Sequence, residues 1–294
     1  MDKQQLHYLP MKRYKNVSNY LATLILGLVF TACSNSSERI VTILHTNDTH
    51  SQVEPLEAGK RDALCGGYAL RMGVVAQERE KNPDLILLDA GDFSQGTPYF
   101  NFYHGRIEVD ALNRMGYDAV TLGNHEFDYG VDTLAAVLKD ASFSVVCANY
   151  NVQGTALEDI VKPYIILRRS GIKIGIFGLG VNPQGLISQK NFAPIQYLDP
   201  ISVAQEMATT LKKKHCDLVI CLSHLGTDIK TPQQTVSDIQ LAQTTRDIDI
   251  IVGGHTHKIL TNYYVENLDG DSVLLAQMGK SGARIGKIEV EMTE

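Results

Sequence analysis

The sequence predicts an α/β fold built on largely parallel sheets. Short runs rich in Val, Ile and Leu alternate along the chain with stretches of helical spacing, the pattern of successive βαβ units. Five of those runs end in Asp, Asn or His. Ligands of open α/β sheets gather at the carboxyl ends of the strands, where loops present side chains from a rigid base, so the repetition describes one composite site. With 44% hydrophobic and 20% charged residues over 294 positions, there is apolar material for a sizeable core without disulfide support. The length allows one large domain or two smaller ones.

The first 32 residues stand apart from the fold. Lys12, Arg13 and Lys15 precede an apolar run over 21–30 that is too short to span a bilayer comfortably, the pattern of an export signal. Thr31 and Ala32 before Cys33 resemble a bacterial lipobox. Cys33 is therefore expected to carry a lipid and to become the mature N-terminus, with "CSNSSER" (33–39) as a flexible tether to a single domain over 40–294. Met11 reads as a candidate true start, because the ten residues before it add nothing to a signal peptide.

Within that domain "VTILHT" (41–46) reads as a strand ending in Asn47–His50, and a helix follows over 67–81. "DLILLDA" (84–90) ends in Gly91 and Asp92, before a helix over 108–115. "YDAVTL" (117–122) ends in Gly123–Asp128, before a helix over 131–139. Three strands, "FSVVCA" (143–148), "YIILRR" (164–169) and "IKIGIFGLG" (172–180), carry no such endings. A helix over 202–214 leads to "DLVICLS" (217–223), which ends in His224. A helix over 233–244 leads to "DIDIIVG" (247–253), which ends in Gly254–His257. "GKSGARIGKIEVEMTE" (279–294) reads as the last strand.

Removing residues 1–32 takes away four basic residues and one acid, leaving 23 basic against 32 acidic residues and a net charge of −9. So acidic a chain has no electrostatic footprint for a nucleic-acid polymer, and a phosphate-bearing substrate must be attracted by something local. Cys65, Cys147, Cys216 and Cys221 show no CxxC spacing. Cys147 and Cys221 lie in apolar runs and read as buried free thiols, with a disulfide as the alternative in an oxidising compartment.

Singly, the polar endings say little. A D-x-H pair such as Asp48/His50 recurs by chance, an Asp after a strand is usually a cap or turn residue, and His224 alone reads as structural. Together they deliver only oxygen and nitrogen ligands from five separated strand ends, which describes a metal cage. His45 reads as a strand residue and Asn47 as a turn or supporting group; His104 and His215 sit at helix ends and receive no role.

The motifs "ILHTNDTH", "GDFSQGTPYF", "GNHEFDYG" and "GGHTH" resemble the 5′-nucleotidase branch of the calcineurin-like metallophosphoesterases, over nearly all of the chain from Ile40 to about Val290. That resemblance implies a four-layer α/β sandwich, two packed mixed β-sheets flanked by helices, with a dimetal cleft at one edge. It implies two divalent ions, one held by Asp48, His50, Asp92 and His257, the other by Asp92, Asn124, His224 and His255. His125 and Asp128 match the family's catalytic dyad, Asn124 and His125 would meet the substrate phosphate, and Glu126 would be a supporting group. Two dications against two Asp carboxylates leave a positive surplus that welcomes a phosphate anion. Imidazole, carboxylate and amide donors without thiolate suit Mn, Zn, Fe or Co.

The implied activity is metal-dependent hydrolysis of phosphate esters, foremost 5′-nucleotidase-type dephosphorylation of nucleotides. A 2′,3′-cyclic-nucleotide phosphodiesterase, a nucleoside-diphosphate-sugar hydrolase and a thiosulfohydrolase are alternatives, and a catalytically silent metal-binding lipoprotein subunit is the reading of a different class. The resemblance implies that full-length members of the family carry a C-terminal domain with base-stacking aromatics and phosphate-binding arginines, and this sequence is expected to lack it. The expectation is a separately encoded chain that supplies base recognition; a domain working alone on varied phosphate esters is the competing one. The expected location is that of an exported bacterial lipoprotein, at the periplasmic face of a membrane or the cell surface.

Overall fold

The computed structural model describes residues 7–8, 39–59, 62–229 and 234–292. Of the expected export segment and tether, only His7–Tyr8 and Arg39 are among them; Cys33 and its lipid lie outside the described residues. Among the described residues no helix is long and apolar enough to cross a membrane.

Two large sheets form the centre. The first holds β1 (His7–Tyr8), β15 (Gly286–Met292), β2 (Arg39–Thr46), β3 (Ile86–Asp89), β4 (Ala119–Val120), β5 (Ser144–Val146) and β7 (Val161–Lys162), in that spatial order. From β2 to β7 every pairing is parallel, while β15 runs antiparallel to β2. The second sheet holds β13 (Ile259–Glu266), β14 (Ser272–Met278), β12 (Ile250–Gly253), β11 (Leu218–Ser223), β9 (Ile172–Leu179) and β8 (Tyr164–Arg169). Its central pairings are parallel and its two outer ones antiparallel. A short ribbon pairs β6 (Tyr150–Asn151) with β10 (Gln196–Tyr197).

The strands are apolar on both faces because both faces are covered. Successive side chains point to opposite sides of a strand. Val41, Ile43, Ile86 and Leu88 of the first sheet therefore meet Ile174, Ile176, Leu218, Ile220 and Leu222 of the second in one inter-sheet core. Leu44 and Leu87, on the opposite face, pack under α1 (Tyr68–Lys81), α3 (Arg106–Met115) and α4 (Val131–Leu138). On the far side Val219 and Cys221 pack under α6 (Pro200–Lys213) and α7 (Asp238–Thr244). The order of layers is helix, sheet, sheet, helix, as the resemblance implied.

Local chemistry sets the helix ends. Asp199 caps α6 by accepting the Ser202 amide at 2.8 Å, with Pro200 at the first helical position. In α3, Val109, Leu112 and Met115 bury one face at helical spacing, and Gly116 closes the helix in the left-handed conformation.

Several expectations are corrected. The helix over 233–244 begins only at Asp238, capped by Ser237, and the Gln234 side chain turns back to the Leu225 carbonyl at 2.6 Å. The run over 117–122 pairs as a strand only at Ala119–Val120. The expected series did not include α2 (Pro98–Tyr103), α5 (Gln189–Phe192) or the antiparallel pair β13–β14. The described cysteines are free thiols: Cys147, Cys216 and Cys221 are buried and Cys65 is half-buried.

Candidate metal centre

All five polar-ended strands finish at the same edge of the sandwich, and their loops converge there. Two groups of side chains result: Asp48, His50 and His257 in one, Asp92, His224 and His255 in the other, with ligand atoms inside each group within 4.8 Å of one another. The groups are neighbours, because His224 Nε2 is 3.0 Å from Asp92 Oδ2 and 4.0 Å from Asp48 Oδ1. Asp48, Asp92 and His224 form a buried floor. His257, 36% exposed at its side chain, and the dyad residues His125 and Asp128, 30% and 33% exposed, form the rim.

The geometry fits cations better than it fits the protein groups alone. His224 Nε2 and Asp92 Oδ2 are close without the alignment of a hydrogen bond, as groups sharing a third partner would be. The Ala90 carbonyl, 2.7 Å from His224 Nδ1, fixes the N–H on that nitrogen and leaves the Nε2 lone pair for a metal. His50 Nε2 and His257 Nε2 face each other at 3.0 Å, with Asp48 Oδ1 at 3.9 Å and 3.4 Å from them. The buried Asn124 Oδ1 has no hydrogen-bond partner. Next to it, the His125 amide donates to Asp92 Oδ1 at 2.9 Å.

The backbone shows the same pressure. Asp48, His50, Asp92, His255 and His257 all hold φ between 46° and 67°, a left-handed region that non-glycine residues enter at a cost. Such conformations cluster where a site dictates side-chain direction. Gly91, at φ 86°, lies so close to the neighbouring loop that a Cβ would stand 2.6 Å from the Gly123 amide nitrogen. A Cβ on Gly123 would stand 2.8 Å from the Asp92 carboxyl carbon. The loops after β3 and β4 touch backbone to backbone, which is why glycine stands at both positions.

Burial lowers the His50 imidazole, and burial with the neighbouring His224 takes His255 down to about 4, so both offer lone pairs at neutral pH. Burial alone would raise Asp92, but the adjacent His224 outweighs it and holds the carboxyl well below the usual range. For His224 the balance runs the other way: the Asp92 carboxylate overcomes burial and raises it. The floor thus attracts positive charge. At the rim, His125 Nδ1 is 3.0 Å from Asp128 Oδ2. Burial works to lower His125, but Asp128 and Asp92 together raise it.

The structure brings every predicted ligand and both dyad residues to one edge. Glu126, expected as a supporting group, accepts the backbone amides of Asp92, Ser94 and Gly123 at 3.0, 3.0 and 2.6 Å, tying the loops after β3 and β4 together. Asn47 donates to Asp48 Oδ2 at 2.6 Å and to the Gly279 carbonyl at 2.8 Å. His45 is a buried strand residue lowered by burial to about 4. His104, given no role, is exposed and stacks on Tyr129 at 4.1 Å between ring centroids.

Two supporting residues escaped the sequence reading. Gln277 accepts the Thr256 hydroxyl at 3.0 Å and the Lys258 amide, and donates to the Gly254 carbonyl, holding the loop that carries His255 and His257. Its signal was a lone amide in the apolar run "VLLAQM". Asp238 accepts the Ser223 hydroxyl at 2.5 Å beside His224, and no local pattern announces it.

A family model described as calcineurin-like phosphoesterase matches residues 41–259. The chain is 33% identical over 275 residues to the snake venom 5′-nucleotidase of Crotalus adamanteus, covering 85% of this chain and 45% of that protein. To the human 5′-nucleotidase it is 30% identical, covering 93% of this chain and 50% of the other. The crystal structure of the 5′-nucleotidase precursor from Thermus thermophilus superposes with a TM-score of 0.75 at 32% identity, over 85% of this chain and 51% of that one. The chain spans about half the length of these relatives.

Proposed function

Since the chain belongs to the calcineurin-like phosphoesterase family, in its 5′-nucleotidase branch, we propose that it hydrolyses phosphate esters with two divalent ions and releases phosphate from nucleoside 5′-monophosphates. The observation that carries this reading is the pair of ligand groups brought together where His224 approaches Asp48, with the His125–Asp128 pair on the rim above. Asp48, His50, Asp92 and His257 would hold one ion; Asp92, Asn124, His224 and His255 would hold the other. The nitrogen and oxygen donor set suits Mn, Zn, Fe or Co. Such ions supply an activated water and offset the negative charge that builds on the phosphoryl oxygens.

The chain's own residues do the rest. Asp92 presents one carboxylate oxygen to His224 while the His125 amide anchors the other. Asn124 offers a neutral amide oxygen, which leaves the positive surplus for the phosphate. His125, held through Nδ1 by Asp128, presents Nε2 as a donor to a phosphoryl oxygen or to the ester oxygen that leaves. A water oxygen bonds to phosphorus, the opposite P–O ester bond breaks, and the freed nucleoside oxygen takes up a proton.

The greater length of the relatives supports placing base recognition on a further unit outside this domain. The basic start, short apolar run and Thr31-Ala32-Cys33 sequence support export and lipid attachment through Cys33, on the periplasmic side of a membrane or at the cell surface.

Phosphate release from AMP by the mature, Mn²⁺-loaded protein, with and without candidate C-terminal-domain chains, tests the reading. His125→Ala is expected to lower kcat by about 10²- to 10⁴-fold while both ions stay bound. Ion binding without turnover on any phosphate ester, with or without such a chain, would make this a silent metal-binding subunit.

A further inference from the structure

Behind the wall that carries Asp48 and His50 lies a closed polar knot that the proposed chemistry does not use. Arg71 on α1 and Glu108 on α3 are 2% and 0% exposed, and Ser51 is fully buried. None of the three guanidinium nitrogens, the Glu108 oxygens or the Ser51 hydroxyl makes a well-aligned hydrogen bond, although the Tyr68 and Tyr117 hydroxyls lie close to Arg71 and Ser51 lies close to Glu108. The guanidinium sits over the Tyr68 ring, 4.6 Å from its centroid, and beside the Tyr117 hydroxyl. Charged groups hidden this way are costly, and apolar replacements of similar volume are often neutral or stabilising. Stability therefore does not explain them.

Position does, because three routes lead from the knot to residues 48–51. Arg71 packs on Gly282, where a Cβ would stand 2.9 Å from the guanidinium carbon, and the adjacent Ser281 amide donates to the Asp48 carbonyl at 2.7 Å. The Tyr117 hydroxyl is 2.7 Å from the Thr46 hydroxyl, which donates to Asp89 at 2.5 Å. Asp89 in turn accepts the Gly91 amide at 2.9 Å, and the Gly91 carbonyl accepts the Asp48 amide at 2.9 Å. Glu108 lies beside Ser51, whose amide donates to the Phe93 carbonyl at 2.9 Å. Asp48, His50 and Ser51 are all left-handed, at φ 48°, 46° and 51°, and three such residues within a stretch of four persist only where the surroundings over-determine them.

We propose that Arg71 and Glu108 form a positioning clamp that holds residues 48–51 in their left-handed conformation and thereby sets the affinity of the Asp48/His50/His257 group for its ion. The clamp touches neither substrate nor ion. It deepens the dimetal reading and rests on it.

Calorimetric titration of Mn²⁺ into metal-stripped protein separates the two. Wild-type protein is expected to bind two ions. Arg71→Met, close in volume but uncharged, is expected to weaken one ion at least tenfold and leave the other within about threefold, with Arg71→Lys in between. Glu108→Gln, which keeps shape, is expected to act in the same direction and carries the test should Arg71→Met fail to fold. Two ions bound with unchanged affinity in the variants, or both weakened equally alongside lost resistance to urea, would overturn the clamp. Wild-type protein binding fewer than two ions would overturn the dimetal reading instead.

Discussion

Asp89 shows how a single buried carboxyl records its surroundings. Burial pushes it up from an ordinary 3.8 to about 6, against the pull of the Thr46 and Gly91 hydrogen bonds. Below pH 3.8 the group is protonated whether the chain is folded or not. Between there and pH 6 the unfolded chain has released its proton while the folded one keeps it, so stability falls as pH rises, by roughly 3 kcal/mol in all. Asp89→Asn removes that slope. In urea unfolding of the metal-free protein, the difference between variant and wild type is expected to move in the variant's favour from pH 4 to pH 7. A constant difference across that window would contradict the assignment. Asp89 also marks what residue-level reading misses. Asp48, Asp92 and His255 were legible because polar ligating groups recur after five separate apolar strands, a repetition that caps and turns do not explain. Asp89, Arg71 and Glu108 were not, since each is buried by segments tens of residues away and nothing beside it in the chain shows that its charge ends in the core.

Helices that bury an apolar face were readable, even where no side chain caps them, and elements without such a face were not. The helix expected over 202–214 is found within two residues of its bounds because Asp199 and Pro200 mark its start. Replacing Asp199 by Ala leaves the Ser202 amide uncapped and is expected to cost about 1 kcal/mol, read as a lower urea midpoint with unchanged slope. Loss of much less would mean that water caps the helix equally well. By contrast α2 lacks a stripe of buried positions: Phe102 is 77% exposed and only Phe100 turns inward. The antiparallel pair β13–β14 escaped for a related reason. Much of β13 is exposed, and "TNYYVE" carries no strict alternation, so its strand character comes from β14 beside it.

Across the whole molecule, the sequence announced strand ends but not which strands would be neighbours. That β9, β11 and β12 form one sheet and β2 to β5 another follows from which apolar faces find each other, a long-range choice. The inter-sheet core makes the two sheets one cooperative unit. Ile220→Ala, at its centre and fully buried, is expected to cost about 2–5 kcal/mol in a single unfolding transition, and two separated transitions would show that the sheets fold apart. The site bears on this unit too. Asp48, His50 and Asp92 leave the first sheet, whereas His224, His255 and His257 leave the second, so each ligand group borrows from both. An ion in either group would rivet the sandwich shut along its open edge. The melting temperature should then climb with free Mn²⁺. A chelator should quicken amide exchange at residues 91–94 and 254–257 well before it reaches the opposite ends of the same strands. The protein would wear its metal as a seam closure, and a starved cell would hold a molecule that gapes at the edge where its chemistry is done.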